Sequence, residues 1–231
     1  MALLLLPLAG CGQVGGKAPK PLSRPDMGWA PVQAQPLPPG LSGWSADPEG
    51  VLWAIPERTP QLVPLRVKRD GVSSAGAALP IEGLHTGEQT ESIAALGAGR
   101  WIVGTEGRGV RDSDNLLWLR KEGSIARVER RVPVPYALWQ RKGEDNRGIE
   151  GLCVADDQVL VAVEPIEEKE GVRTGLLARY ADGRFQAIRF PLTSKDGKIS
   201  GIDCKLVADR LVVVAIERHY EVSRLVRLSL P

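Results

Sequence analysis

Residues 148–165 read GIEGLCVADDQVLVAVEP, and the fold is decided by how this stretch is built. Two apolar segments flank Asp156 and Asp157, a turn pair, so the stretch describes a β-hairpin. Side chains alternate between the two faces of a strand, yet VLVAV is apolar at every position. Such a strand must be covered on both sides. Three further stretches repeat the pattern: LSGWSADPEGVLWAIPER at 41–58, TESIAALGAGRWIVGTEGR at 90–108 and GIDCKLVADRLVVVAIER at 201–218. Each second strand stops at a glutamate, namely Glu57, Glu106, Glu164 and Glu217. A repeat of roughly 50 residues is the signature of a propeller or a repeat array.

Working outward, the segments between the hairpins are more amphipathic. LVPLRVKRD with AALPIEG, LLWLRKEG with IARVERRVPVP, and LLARYADG with FQAIRFPLT alternate polar and apolar residues, as outer strands with one wet face do. Inner plus outer hairpin makes one four-stranded blade. The last repeat keeps a single outer strand, SRLVRLSL, and WAPVQAQPL at 29–37 would supply its partner and close the ring. The expectation is an all-β propeller of about four four-stranded blades over residues 29–231. Five or six blades or an incomplete ring are the alternatives, and a β-sandwich is the architectural competitor.

Composition agrees. Of 231 residues, 43% are hydrophobic, enough for a core, and 26 Gly with 18 Pro supply many turns. Six Trp, three Tyr and two Phe leave the core mainly to aliphatic residues. A net charge of +2 lacks the basic excess of a nucleic-acid binder.

The N-terminal run ALLLLPLAG before Cys11 has the form of an export signal, and LAGC resembles the lipobox of bacterial lipoproteins. Residues 1–10 are therefore expected to be a signal peptide and Cys11 the lipidated residue. Residues 11–28, rich in Gly and Pro, would be a tether. The protein would then sit in the cell envelope, on the periplasmic side or the cell surface, as a monomer touching membrane only through its lipid.

A propeller gathers the starts and ends of its inner hairpins around one mouth of the central channel. Counting back from each terminal glutamate places Ser42, Glu91, Glu150 and Asp203 there. Three carboxylates in a narrow space repel unless compensated, so Glu91, Glu150 and Asp203 are candidate ligands for Ca²⁺, a hard cation. Arg58, Arg108 and Arg218 each follow a terminal glutamate. They would either bind an anionic substrate or pair with the acids in a ring of salt bridges. His219 and Glu150 are candidate acid–base groups, and Ser42 is a weaker candidate nucleophile. Cys153 and Cys204 fall on inner strands of neighbouring repeats, where they would form a disulfide or remain two buried thiols.

GLSGW at 40–44, the stretches at 90–109 and 146–164, and ISGIDCKLVADRLVVVAIER at the end resemble, in order, the bacterial "esterase-like activity of phytase" family. The resemblance implies a propeller-like, exported domain with phosphate-ester or ester hydrolysis, in a family whose domain is usually longer. It carries over by position the acidic and glycine character of Glu91, Glu150, Gly151 and Glu164, and the Glu217–Arg218 pair. Two main readings of function follow. One is a divalent-cation-dependent phosphoesterase acting on a small-molecule phosphate ester at the acidic mouth. The other is a non-catalytic propeller that binds a ligand or protein of the envelope. A metal-independent esterase using Ser42 is a third.

Overall fold

The computed structural model describes residues 37–230 apart from 69, 70, 145, 146 and 221, all within one compact unit. The expected signal peptide, Cys11, the tether and residues 29–36 of the expected closing strand lie outside the described residues. Among the described residues no helix is long and apolar enough to cross a membrane.

The structure is all-β apart from one 3₁₀ turn, and its strands form four up-and-down meanders in sequence order. The first holds β1 (Leu41–Ala46), β2 (Leu52–Pro56), β3 (Gln61–Lys68) and β4 (Gly71–Ser74). A short β5 (Leu79–Glu82) follows. The second meander is β6 (Gln89–Gly97), β7 (Arg100–Glu106), β8 (Ser113–Glu122) and β9 (Ile125–Pro135), ending in the 3₁₀ turn Tyr136–Trp139. The third is β10 (Ile149–Ala155), β11 (Gln158–Lys169), β12 (Val172–Ala181) and β13 (Arg184–Pro191). The fourth is β14 (Lys198–Val207), β15 (Arg210–His219) and β16 (Val222–Leu230), three strands among the described residues.

β4 was not anticipated from sequence, whereas β5 lies in the AALPIEG segment expected as an outer strand beside LVPLRVKRD. β5 pairs antiparallel with β3 and parallel with β9, fusing the first two meanders into one nine-stranded sheet. The four predicted inner hairpins are β1–β2, β6–β7, β10–β11 and β14–β15, each antiparallel. Their first strands lie side by side in chain order, β1 on β6, β6 on β10 and β10 on β14. This is the radial stacking of a propeller around its channel.

Apolar side chains from both faces of the inner strands fill the spaces between neighbouring meanders. Ile55, Ile93, Trp101, Val103 and Leu117 pack between the first and second. Ile102, Leu116, Leu152, Val161 and Leu176 pack between the second and third, and Leu160, Ala162, Leu177, Val213 and Ala215 between the third and fourth. Two-sided burial explains the unbroken apolar run VLVAV of β11, whereas LVVVAI of β15 is buried on alternate residues only, leaving Val214 and Ile216 exposed.

Cys153 and Cys204 are joined in a disulfide across the third and fourth meanders, with Cα atoms 5.7 Å apart. Of the two alternatives left open by sequence, the structure holds the paired one.

Candidate functional site

Each inner hairpin carries a β-bulge one or two residues after its first strand begins. In the first three hairpins the register slips between Leu41 and Gly43, between Thr90 and Ser92, and between Ile149 and Gly151. The extra residues are Ser42, Glu91 and Glu150. In the fourth it slips between Ile199 and Ile202, so Ser200 and Gly201 occupy the bulge. A bulge re-aims a side chain and kinks the strand, here at one end of the channel.

Glycine after the bulge allows the inner strands to approach closely. A Cβ on Gly43 would lie 2.8 Å from Ser92 Cα, and one on Gly151 would lie 2.9 Å from Ile202 N. Where the second repeat has Ser92 instead, its Oγ donates to the carbonyl of Ile149 at 2.9 Å, tying β6 to β10.

This register corrects two sequence assignments. Asp203 is not the fourth member of the acidic set, because counting back from Glu217 ignores the longer bulge, and Ser200 holds that place. Asp203 is exposed, pairs with Val214 on the next strand and accepts a hydrogen bond from the Cys204 N–H. Glu217 is likewise displaced by one. Leu41, Thr90 and Ile149 face Pro56, Thr105 and Val163, and the residue after each is Glu57, Glu106 or Glu164. Ile199 faces Glu217 itself, so Arg218 stands where the other repeats place an acid.

A one-residue shift in a strand reverses the face, and Glu217 accordingly turns away. It is fully buried and accepts hydrogen bonds from the backbone N–H groups of Thr193 and Ser194 at 2.9 and 2.8 Å, and from both hydroxyls. Burial opposes its charge, but these four donors outweigh burial and hold the carboxyl below its usual range.

The mouth proper contains Glu91, Glu106 and Glu150. Burial raises each to about 7, and neighbouring carboxylates add to the effect. Glu150 feels Glu106 and Glu57, opposed by Lys198 and Arg218. Glu91 feels Glu150 and is drawn back by a hydrogen bond from Ser42 Oγ at 2.5 Å. Glu164 is paired with Lys198.

The expected Ca²⁺ ligands Glu91, Glu150 and Asp203 do not form one close cluster. Asp203 lines a cavity of about 590 Å³ together with Ser42, Glu150 and Ser200, Glu91 is bound by Ser42, and no group of three or more His, Cys, Asp or Glu side chains among the described residues is placed to hold a metal. A closed ring of Glu–Arg bridges is not what forms either. Arg58 meets Glu57 at 3.4 Å with its own side chain 83% exposed, whereas the cation acting on Glu106 is Arg111.

Two clefts open at the mouth. One, of about 690 Å³, is bordered by Glu57, Arg58, His85, Glu88 and Arg108. The other, of about 630 Å³, lies between the third and fourth meanders and is bordered by Arg147, Glu164, Arg173, Lys198, Arg218 and His219. The three arginines singled out in sequence are thus divided between clefts. His219 shares the second cleft with Arg218 and stacks edge-on against exposed Tyr220, ring centres 5.0 Å apart. Arg147, Arg173 and Lys198 were missed because they lie outside the hairpin stretches read from sequence, although Lys198 opens β14 opposite Arg218. Ser200 was missed although ISG at 199–201 repeats the LSG of 41–43.

Radially stacked meanders with an acidic channel mouth define a β-propeller. The chain belongs to the phytase-like family described as "Esterase-like activity of phytase", whose model matches residues 37–229. No curated protein matches the sequence. Among solved structures it is similar to a protein of unknown function from Bacteroides caccae, at 13% identity and a TM-score of 0.46 over 84% of this chain and 63% of that one. It also resembles YCF48 from Cyanidioschyzon merolae, at 17% identity and a TM-score of 0.42 over 82% of this chain and 50% of that one. A further similar structure is the PQQ-bound aldose sugar dehydrogenase of Streptomyces coelicolor, at 8% identity and a TM-score of 0.41 over 83% and 81%. The chain therefore spans less than two thirds of the first two proteins.

Proposed function

We propose that this phytase-like propeller hydrolyses anionic esters, phosphate esters foremost, at its channel mouth. The observation that carries the reading is the substitution of Arg218 for the fourth hairpin-end acid. It sets a cationic cleft beside Glu150, whose carboxyl titrates near neutrality. Arg218, Arg147, Arg173 and Lys198 would hold the phosphoryl oxygens and stabilise charge developing on them. Water forms the new P–O bond as the ester P–O bond breaks. The leaving alkoxide takes the Glu150 proton, and the attacking water restores it, giving alcohol and inorganic phosphate. His219 would hydrogen-bond the phosphoryl group from the cleft rim. Export with a lipid on Cys11, four blades completed by residues 29–37, and a monomeric state belong to the same proposal.

The test is hydrolysis of 4-nitrophenyl phosphate between pH 5 and 9, with and without EDTA. Activity that survives EDTA and falls at least about 100-fold in Glu150→Gln supports the reading. A protein inert toward every ester that still binds phosphate would instead be the non-catalytic envelope binder.

The Ser42–Glu91 hydrogen bond favours a second mechanism, in which Glu91 accepts the Ser42 proton and the oxygen attacks an ester carbonyl. Labelling of Ser42 by a fluorophosphonate, lost in Glu91→Gln, would select it.

A further inference from the structure

The cleft between the third and fourth meanders contains an acceptor without a donor. Glu164 is only 7% exposed. One of its oxygens, Oε1, is paired with Lys198 Nζ, while Oε2 is buried with no hydrogen-bond partner among the described residues. A buried carboxylate oxygen left unpaired is costly and calls for an explanation.

The surrounding cations are held in place. Arg173 Nη1 donates to the carbonyls of Ser194 and Gly197 at 3.1 and 2.8 Å, and Arg147 Nη1 donates to Glu144 at 2.9 Å. Arg218 and Lys198 stand in the same wall, with His219 and a second carboxylate, the exposed Asp196. Four cations attract an oxyanion, whereas the buried carboxylate of Glu164, unlike the solvated one of Asp196, repels one whose oxygens are all bare. An oxyanion that carries its own O–H meets both conditions. Its bare oxygens face the cations, and its hydroxyl donates to Glu164 Oε2.

We propose that this cleft selects oxyanions bearing a hydrogen-bond donor, protonated phosphate and its monoesters, against fully deprotonated ones such as sulfate, and that Glu164 is the discriminating residue. The inference rests on the anionic-ester reading of the site but concerns how the anion is chosen. A site built around a buried polar group rejects a ligand that leaves the group unpaired far more strongly than one defined by shape.

The experiment is calorimetric titration of the full chain carrying Cys11→Ser with inorganic phosphate and with sulfate at pH 6, where phosphate is protonated and sulfate is not. Phosphate is expected to bind at least about tenfold more tightly than sulfate. In Glu164→Gln, whose amide offers a donor as well as an acceptor, sulfate affinity should rise and the ratio should fall to within about twofold. Equal binding of both anions by the wild-type protein overturns selection while leaving the anion site standing. Binding of neither overturns the site and the selection together. Because the wild-type comparison decides by itself, a Glu164→Gln chain that fails to fold does not rescue the proposal.

Discussion

Ser42 Oγ donates a 2.5 Å hydrogen bond to Glu91 Oε2, joining the bulges of β1 and β6 across the first two repeats. It is the one influence from Ser42 that favours the ionised form of a carboxyl otherwise driven up by burial. Ser42→Ala should therefore raise the Glu91 midpoint above its value of about 7. A carboxyl ¹³C NMR titration of labelled glutamates reads this directly. An unchanged or lower midpoint would show that the hydrogen bond does not act on the ionised form.

The pH dependence of stability has a defined sign. Glu91, Glu106 and Glu150 rise from an ordinary value of 4.5 to about 7 on folding, so the native state binds more protons than the unfolded chain between those limits. Their contribution is fully present below about pH 4.5, is lost as pH rises through 7, and is level beyond. Glu217, held low, acts oppositely, and its contribution fades as the medium becomes strongly acidic. Urea unfolding from pH 4 to 8 should show stability falling through this window. Glu150→Gln should make the slope shallower and stabilise the protein at pH 8.

Asp114 is 2% exposed and binds Arg111 through both oxygens, at 2.5 Å to Nε and 2.7 Å to Nη2. It also accepts from Tyr136 Oη at 2.5 Å and from the Gly107 N–H at 2.9 Å. Removing one partner of such a pair strands a buried charge, so Asp114→Ala should cost about 3–5 kcal/mol in chemical denaturation. Because Gly107 follows Glu106 directly, the same change should loosen the mouth and lower anion affinity.

The disulfide links residues 51 apart in sequence. In the chain-entropy picture, closing a loop of that size in the unfolded chain is worth about 4 kcal/mol. Cys153→Ala with Cys204→Ala should lose a comparable amount, and the single variants no less. A loss below about 1 kcal/mol would mean that the packing of Leu160, Val213 and Ala215 alone holds the third and fourth meanders together.

Gly151 stands where β10 meets β14, and an added Cβ would press on backbone atoms of Gly201 and Ile202 at 3.1 and 2.9 Å. Backbone cannot swing aside as a side chain can. Gly151→Ala should therefore destabilise by about 1–3 kcal/mol. Gly50→Ala tests a different cost: nothing lies within 4 Å of its Cβ, but its φ of +83° strains any other residue. Thermal melts of the two variants separate crowding from backbone strain.

Much of the fold was legible in the chain because a strand covered on both faces must be apolar throughout. VLVAV declared its burial and the turns between strands announced themselves in Asp and Gly, whereas LVVVAI, equally apolar, is buried only on alternate residues. β4 was less visible, since the four residues GVSS carry little apolar pattern, and the parallel pairing of β5 with β9 has no local signal. At the site, Glu91 and Glu150 could be found from the repeat. Asp203 could not be excluded, because alignment by counting assumes that every hairpin has the same bulge.

Sequence by itself determined the number and order of the inner hairpins, the two-sided burial of the second and third, and the presence of acids at their ends. Those properties depend on local alternation and short-range turns, which adjacent residues encode. Tertiary structure alone decided which acids share the mouth, because the longer bulge at Ser200–Gly201 shifts the register by one residue and reverses the face. By that shift Glu217 became a buried acceptor for Thr193 and Ser194, and Arg218 took the place facing Glu150. The near-neutral carboxyls likewise arise only when separate strands remove them from water together, a property no single stretch of chain possesses.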